Sequence, residues 1–231
     1  MSSIGPKGMN QPRILITAGP THEPIDRVRS LNNQSSGRLG ISLAEAAVGR
    51  EARTTLLLGP THHAPPDHSL LVTKRFQSTS ELEVLLEAAW PDHDLLLMAA
   101  AVADYRPRNP RLEEKLPRSE AGLTLELEAT PDLLAGLAER SRPDQLRVGW
   151  ALESKENLRS RAIRKLSRKH LHLIVANSLE TIDSRSIEPL VLAATEDGPR
   201  ELSIPSPRME KADFAAWLVD EALQRQRKLS G

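Results

Sequence analysis

Five short runs in this chain are dominated by apolar residues, and stretches with helical spacing stand between them. The runs are Ile14–Ala18, Thr54–Leu58, Leu95–Ala101, Val148–Leu152 and Leu171–Ala176. None alternates apolar with polar, so each reads as a strand buried on both faces. Between them, Leu39, Leu43, Ala46 and Ala47, and then Leu82, Leu85, Leu86 and Ala89, recur at three- and four-residue intervals, the second group behind Thr79 or Ser80 as N-cap. A basic helix spans 155–169, and a final helix carries Phe214, Trp217, Leu218 and Ala222 on one stripe. Strands alternating with helices predict a doubly wound, mostly parallel, Rossmann-like α/β sheet with helices on both faces. Thr124–Glu128 alternates with period two, as a half-exposed strand added to that frame does. Residues 189–204 read as a hairpin around Asp197-Gly198, and Thr130-Pro131-Asp132 opens a short helix with proline in its first position. We expect a flexible tail over 1–11 and a single domain over 12–231, with polar, aperiodic stretches at 19–36 and about 104–120.

Composition removes several function classes. The 231 residues carry 31 Lys+Arg against 31 Asp+Glu, which argues against broad nucleic-acid or membrane-surface binding. With no cysteine there is no disulfide, thiolate metal site or catalytic thiol. The N-terminus lacks the apolar core of a signal peptide and no apolar run is long enough for a membrane span, so a cytoplasmic protein is expected. No Walker loop, G-x-G-x-x-G fingerprint or G-x-S-x-G elbow occurs. His62, His63 and His68, like His170 and His172, have no carboxylate at ligand spacing and read as solvated rather than metal-binding.

Four constellations remain, each at or near a strand's carboxyl end, where ligands of such folds bind. Asn33-Gln34-Ser35-Ser36-Gly37-Arg38-Leu39-Gly40 runs into a helix start. It fits an anion cradle, and equally a serine N-cap with a close glycine contact. Ala100-Ala101-Val102-Ala103-Asp104 leaves bare backbone and an acceptor for a ligand, or a helix-packed alanine strand with a capping aspartate. Lys115 lies in the second polar stretch, where a flap lysine can close over phosphate. Lys165 and Lys169 share a helix face with Arg161, Arg164 and Arg168, either a polyphosphate clamp or a solvated face.

Together these segments resemble the phosphopantothenate–cysteine ligase family. The resemblance is carried by Ile16-Thr17-Ala18-Gly19-Pro20-Thr21-His22-Glu23-Pro24-Ile25-Asp26, Val28-Arg29, Asn33-Gln34-Ser35-Ser36-Gly37, Ala100-Ala101-Val102-Ala103-Asp104-Tyr105-Arg106-Pro107, Thr130-Pro131-Asp132-Leu133-Leu134, Val148-Gly149-Trp150-Ala151, Lys165 through Lys169, and Asn177. It implies a coenzyme A biosynthesis enzyme that joins 4′-phosphopantothenate to L-cysteine. Its nucleotide co-substrate is CTP rather than ATP, its intermediate an acyl-cytidylate, and its Mg²⁺ is held mainly through nucleotide phosphates. By resemblance, Asn33 handles the substrate carboxylate, Arg29 the substrate phosphate, and Ala100 and Ala101 the pantothenate. Ser35, Ser36, Gly37 and Gly40 then form the triphosphate cradle. Asp104, Thr130, Pro131, Asp132 and Leu133 contact ribose and base, with Trp150 in place of the usual phenylalanine. Lys115 belongs to the flap, and Lys165 and Lys169 stand near phosphates.

The sequence departs from the family pattern at His22, Leu152, Ser154 and His172, and its flap reads Lys115-Leu116-Pro117-Arg118 where further lysines are usual. The resemblance also implies a homodimer built through a small β extension at 123–128, with Leu123, Leu125 and Leu127 facing the shared core. Many bacterial members follow a flavin-dependent decarboxylase; the short tail before Ile14 leads us to expect no FMN here and a separate decarboxylase as partner. The competing reading is a non-catalytic nucleotide-binding partner of that decarboxylase. Asn33, Asp104 and Lys115 together favour the enzyme.

Overall fold

The computed structural model describes residues 11–181 and 184–231; residues 1–10 of the expected tail lie outside the described residues. In chain order the elements are β1 (Arg13–Ala18), β2 (His22–Pro24), β3 (Ser30–Asn32), α1 (Arg38–Val48), β4 (Arg53–Leu58), β5 (Leu71–Arg75) and α2 (Thr79–Ala89). Next come β6 (Leu95–Met98), β7 (Tyr105–Pro107), β8 (Leu127–Ala129), α3 (Leu133–Glu139), β9 (Leu146–Glu153), α4 (Leu158–Arg168) and β10 (Leu173–Ser178). The chain continues through β11 (Ser186–Ile187), β12 (Leu190–Ala193), β13 (Arg200–Glu201), β14 (Met209–Glu210) and α5 (Lys211–Ser230).

Eight strands form one sheet in the order β13-β12-β10-β9-β6-β1-β4-β5. It is parallel from β10 to β5, with β12 and β13 added antiparallel. The chain moves from β1 outward to β4 and β5, then returns to β6 on the other side of β1. The strand order therefore reverses between β1 and β6, and a crevice opens there beyond the carboxyl ends.

The period of two sends alternate residues of β1 into two cores. Ile14, Ile16 and Ala18 join Leu43, Ala44, Phe214 and Leu218 under α1 and α5. Leu15 joins Leu57, Phe76, Leu86, Leu134 and Leu166 under α2, α3 and α4. Each such large side chain, removed wholly from water, contributes roughly 1.5–3 kcal/mol. Arg50 staples α5 to α1: it ion-pairs with Asp220 and donates to the carbonyls of Ala46 (3.0 Å) and Ala216 (2.9 Å).

Helix starts differ from the sequence expectation in instructive ways. Ser78, not Thr79 or Ser80, caps α2: its Oγ accepts from the Glu81 amide at 3.2 Å, while Glu81 accepts from Gln77 N at 2.8 Å. This pairing satisfies one helix-terminal donor, the Glu81 amide, and the Gln77 amide just before the cap. Pro131 lies before α3 rather than in its first position, because Asp132 takes the cap and accepts from Ala135 N. At α1 the cap is Gly37 in a left-handed conformation (φ 73°), without a side-chain cap bond; Ser35 Oγ instead accepts from Gly37 N at 3.3 Å. The serines therefore remain outside the helix.

Three further expectations change. The polar stretch 19–36 contains the β2–β3 hairpin, too short to show periodicity. Leu71–Arg75 forms an edge strand that its polar composition concealed. Of the alternating segment 123–128, only Leu127 and Glu128 enter a strand, β8, which pairs with β7 as a separate ribbon. Leu123, Leu125 and Leu127 are all exposed in the single chain.

Gly40 sets how closely α1 can approach the sheet. A Cβ there would lie 2.3 Å from Ala18 Cβ and 3.0 Å from Ala18 Cα. Gly40→Ala is accordingly expected to lower stability by about 1–3 kcal/mol in urea unfolding, despite alanine's better helix propensity. An unchanged midpoint would mean that α1 shifts freely on β1.

Candidate active site

A cavity of about 1150 Å³ occupies the crevice at the strand-order reversal. Its walls come from the loop before α1, the chain after β6, the turn before α3, the end of β9 and one face of α4. It gathers Asn33, Ser35, Ser36, Gly37, Gly40, Ala100, Ala101, Asp104, Thr130, Pro131, Asp132, Leu133, Trp150, Lys165 and Lys169. These are the sequence candidates other than Arg29 and Lys115. Those two line a second cavity of about 760 Å³ with Val28, Leu116 and Arg118.

The wall between β6 and β7 is held mainly by backbone and hydroxyl groups at the end of β1 and just after it. Ala100 N donates to Thr17 Oγ1 (3.1 Å), Ala101 N to Gly19 O (2.9 Å) and Ala103 N to Thr21 Oγ1 (3.0 Å). Asn33 Nδ2 donates to Val102 O at 2.9 Å. From the other side Thr130 donates through Oγ1 to Ala103 O (2.5 Å) and through N to Asp104 O (3.0 Å). Behind Thr21, the buried Glu23 carboxylate accepts from Thr79 N (2.8 Å) and Thr79 Oγ1 (2.6 Å), fixing the start of α2 to the same unit. Thr17, Thr21 and Glu23 were missed as site-forming residues. They belong to the quoted motif, but nothing in their spacing says that hydroxyls would substitute for ladder bonds.

At the α1 end, the first helical bond is Ile41 N to Gly37 O, which leaves the amides of Arg38, Leu39 and Gly40 without partners within the helix. Arg38 stands beside them and meets His63 Nε2 through Nη2 at 3.3 Å, so the Pro/His loop lies against this helix start. Arg38 Nε, Trp150 Nε1 and Asn177 Oδ1 are buried polar atoms without hydrogen-bond partners.

The opposite wall is cationic. Burial, reinforced by the neighbouring Lys169 charge, pushes the Lys165 ammonium down to about 8, against partial support from Asp132, Asp104 and Glu153. Lys169 Nζ lies 2.8 Å from Asp132 Oδ1. Burial alone would push the Asp132 carboxyl up, but the Lys169 hydrogen bond and charge more than offset it, so the group sits below its ordinary range. One carboxylate thus caps α3 and anchors a lysine. Among the described residues no group of three or more His, Asp or Glu stands together as metal ligands. No helix among them is long and apolar enough to cross a membrane.

A doubly wound sheet with its main cavity at the strand-order reversal, a helix start on one side and lysines on the other, defines an α/β domain of the crevice-binding kind. The chain belongs to the family described as the DNA/pantothenate metabolism flavoprotein C-terminal domain, which matches residues 9–225. It is 38% identical over 218 residues to the coenzyme A biosynthesis bifunctional protein CoaBC of Bacillus subtilis (strain 168), covering 92% of this chain and 52% of that protein. Identity to the Escherichia coli (strain K12) protein of the same name is 36% over 216 residues, with the same two coverages. The chain thus spans about half the length of these curated relatives. The crystal structure of the C-terminal domain of CoaBC superposes with a TM-score of 0.73 at 32% identity, covering 95% of this chain and 96% of that one. The structure titled Cab2 mutant H337A complex with phosphopantothenate-cysteine shares the fold, with a TM-score of 0.75 at 19% identity, covering 95% of this chain and 87% of that one.

Proposed function

We propose that this chain joins 4′-phosphopantothenate to L-cysteine in coenzyme A biosynthesis, using CTP. The observation that carries the reading is the single cavity uniting Asn33, the Ser35–Gly37 helix start, the Ala100–Asp104 wall and Lys165 with Lys169. In the first step a substrate carboxylate oxygen attacks the α-phosphorus and the bond to pyrophosphate breaks. The cysteine amine then attacks the acyl carbon, CMP departs, and the amine loses a proton. Neither step needs a side-chain nucleophile; both need anions neutralised, groups aligned and water excluded.

The amides at the start of α1, with Ser35 and Ser36, face the triphosphate from one side, and Lys165 and Lys169 from the other. Asn33, held by the Val102 carbonyl, presents the second N–H of its Nδ2 to the carboxylate. Ala100 and Ala101 allow pantothenate to approach the backbone, while Asp104, Thr130–Leu133 and Trp150 surround ribose and base. Mg²⁺ would be carried mainly by the nucleotide phosphates, which supply the oxygen ligands it takes. The deciding measurement is pyrophosphate release that requires both phosphopantothenate and CTP. Nucleotide binding without turnover would make the chain a binding module, and equal turnover with ATP would overturn the choice of nucleotide.

A homodimer completes this reading. Arg29 and Lys115 share a cavity apart from Asn33; Leu123 lines that cavity, Leu127 lies on the β7–β8 ribbon, and both are exposed, as is Leu125 between them. Pairing two chains there would cover the leucines and offer Arg29 to a neighbour's substrate phosphate. Mixing Arg29→Ala chains with Asn33→Ala chains is expected to restore activity at one hybrid site per mixed dimer. A monomer at sedimentation equilibrium, or no rescue in verified mixed dimers, would overturn the shared site.

A further inference from the structure

The Asp26 carboxylate accepts five hydrogen bonds, and it lies outside the main cavity. Its side chain is fully buried. Oδ1 accepts from the amides of Val28 (2.8 Å) and Arg29 (2.8 Å), which closes a local turn. Oδ2 does different work: it accepts from Arg29 Nε (2.8 Å), from Arg29 Nη2, and from the amide of Leu116 (3.0 Å). Arg29 Nη2 also donates to Leu116 O at 2.8 Å. The flap is docked on the same turn by Arg111 N to Ile25 O (3.0 Å) and Arg27 N to Glu114 O (3.1 Å).

A turn aspartate needs only the two amides that Oδ1 receives. The bonds at Oδ2 reach 90 residues along the chain and join two pieces that line one cavity, Arg29 and the flap residue next to Lys115. With Nε and Nη2 committed, the guanidinium has a fixed plane and offers its Nη1 edge to that cavity's ligand, where Lys115 and Arg118 add positive charge.

We propose that Asp26 is a positioning residue: it holds Arg29 and the Lys115 flap as one anion-facing unit, so that gripping the substrate's phosphate and placing the flap depend on the same carboxylate. This rests on Arg29 being the phosphate contact of the proposed ligase. The Arg29 hydrogen bonds, with the Val28 and Leu116 amides and against the opposing effect of burial, hold the Asp26 carboxyl well below the usual carboxylate range. A depressed acid is ionised everywhere above its lowered value, so the clasp persists at neutral and mildly acid pH.

The test compares two variants in the full chain. Asp26→Asn keeps the shape and removes the charge; Leu116→Pro removes the flap's amide donor, also restricts the backbone at Lys115 and position 116, and leaves the Arg29 pair. Both are expected to speed tryptic cleavage after Arg111 and Arg118 by about fivefold or more, with folding checked by circular dichroism. Asp26→Asn should also raise KM for phosphopantothenate about tenfold, whereas Leu116→Pro should lower kcat and leave that KM within about twofold. Unchanged cleavage in a folded Asp26→Asn protein overturns the clasp, and faster cleavage without a KM change reduces Asp26 to a structural tie. If Asp26→Asn does not fold, Asp26→Ser, which keeps an acceptor for the turn amides, takes its place. A parent protein that releases no pyrophosphate refutes the ligase reading alone, because the proteolysis still decides the clasp.

Discussion

Lys165→Met is expected to give a protein more stable than its parent and much poorer at holding a triphosphate. The ammonium is buried beside Lys169, and its folded-state value of about 8 lies below the ordinary lysine value of 10.5. For a base, a lowered value means that the fold disfavours the charged form. The cost is full below about pH 8 and fades as pH rises from there toward the unfolded value. At pH 7, replacement by an uncharged chain of similar length should therefore add about 1–3 kcal/mol to unfolding stability in urea. The same change removes a charge-assisted contact to phosphate and should weaken CTP binding by about 10- to 100-fold. In the parent, CTP affinity should fall as pH rises through about 8, with proton uptake on binding visible by calorimetry in buffers of different ionisation enthalpy. A variant less stable than the parent would show that Lys165 serves the fold rather than the ligand.

Asn33→Ala is expected to abolish most turnover while leaving the fold intact. Asn33 is exposed and makes one bond of consequence, to Val102 O at 2.9 Å, which water can replace, so the stability loss should stay within about 1 kcal/mol. Its rigid placement is what the reacting carboxylate needs. Losing one such donor should lower kcat by about 10²–10³-fold, with CTP binding little changed, since the proposed reading sets the phosphates against α1 and α4 instead. Single-turnover acyl-cytidylate formation is the measurement; a parental rate there would remove Asn33 from the chemistry.

The architecture was legible where burial on both faces wrote continuous apolar runs, as at Ile14–Ala18 and Leu173–Ala176. It was illegible where one face meets water at an edge: in Leu71–Arg75 the apolar pair Leu71 and Val72 is followed by Thr73, Lys74 and Arg75 and makes no full apolar run. Caps slipped by a residue or more because serine, threonine and aspartate cluster before α2 and α3, and only geometry selects the one whose oxygen reaches the right amide. The main cavity was anticipated through motifs at strand ends, which topology must bring together. What motifs do not encode is distance between such groups, and the separation of Arg29 and Lys115 from Asn33 emerged only with the fold. Glu23 and Asp26 were quoted only as parts of a motif because a buried carboxylate is recognised by the donors that converge on it, and Thr79 for Glu23 and Leu116 for Asp26 lie far away in sequence.

The wall from Ala99 to Asp104 presents mainly peptide groups and methyls, and its hold on Thr17, Gly19, Thr21 and Thr130 runs largely through main-chain atoms. A surface of that kind is largely blind to the identity of nearby side chains. Lineages can replace the outward faces of the surrounding helices, as neutral drift requires, without moving the amides and carbonyls that a ligand meets. Tolerance should end abruptly at the few hydroxyls and small residues that set the strand-to-strand spacing. Deep mutational scanning of this chain would then show a permissive shell around a narrow seam of intolerance, running across the sheet rather than along any one helix.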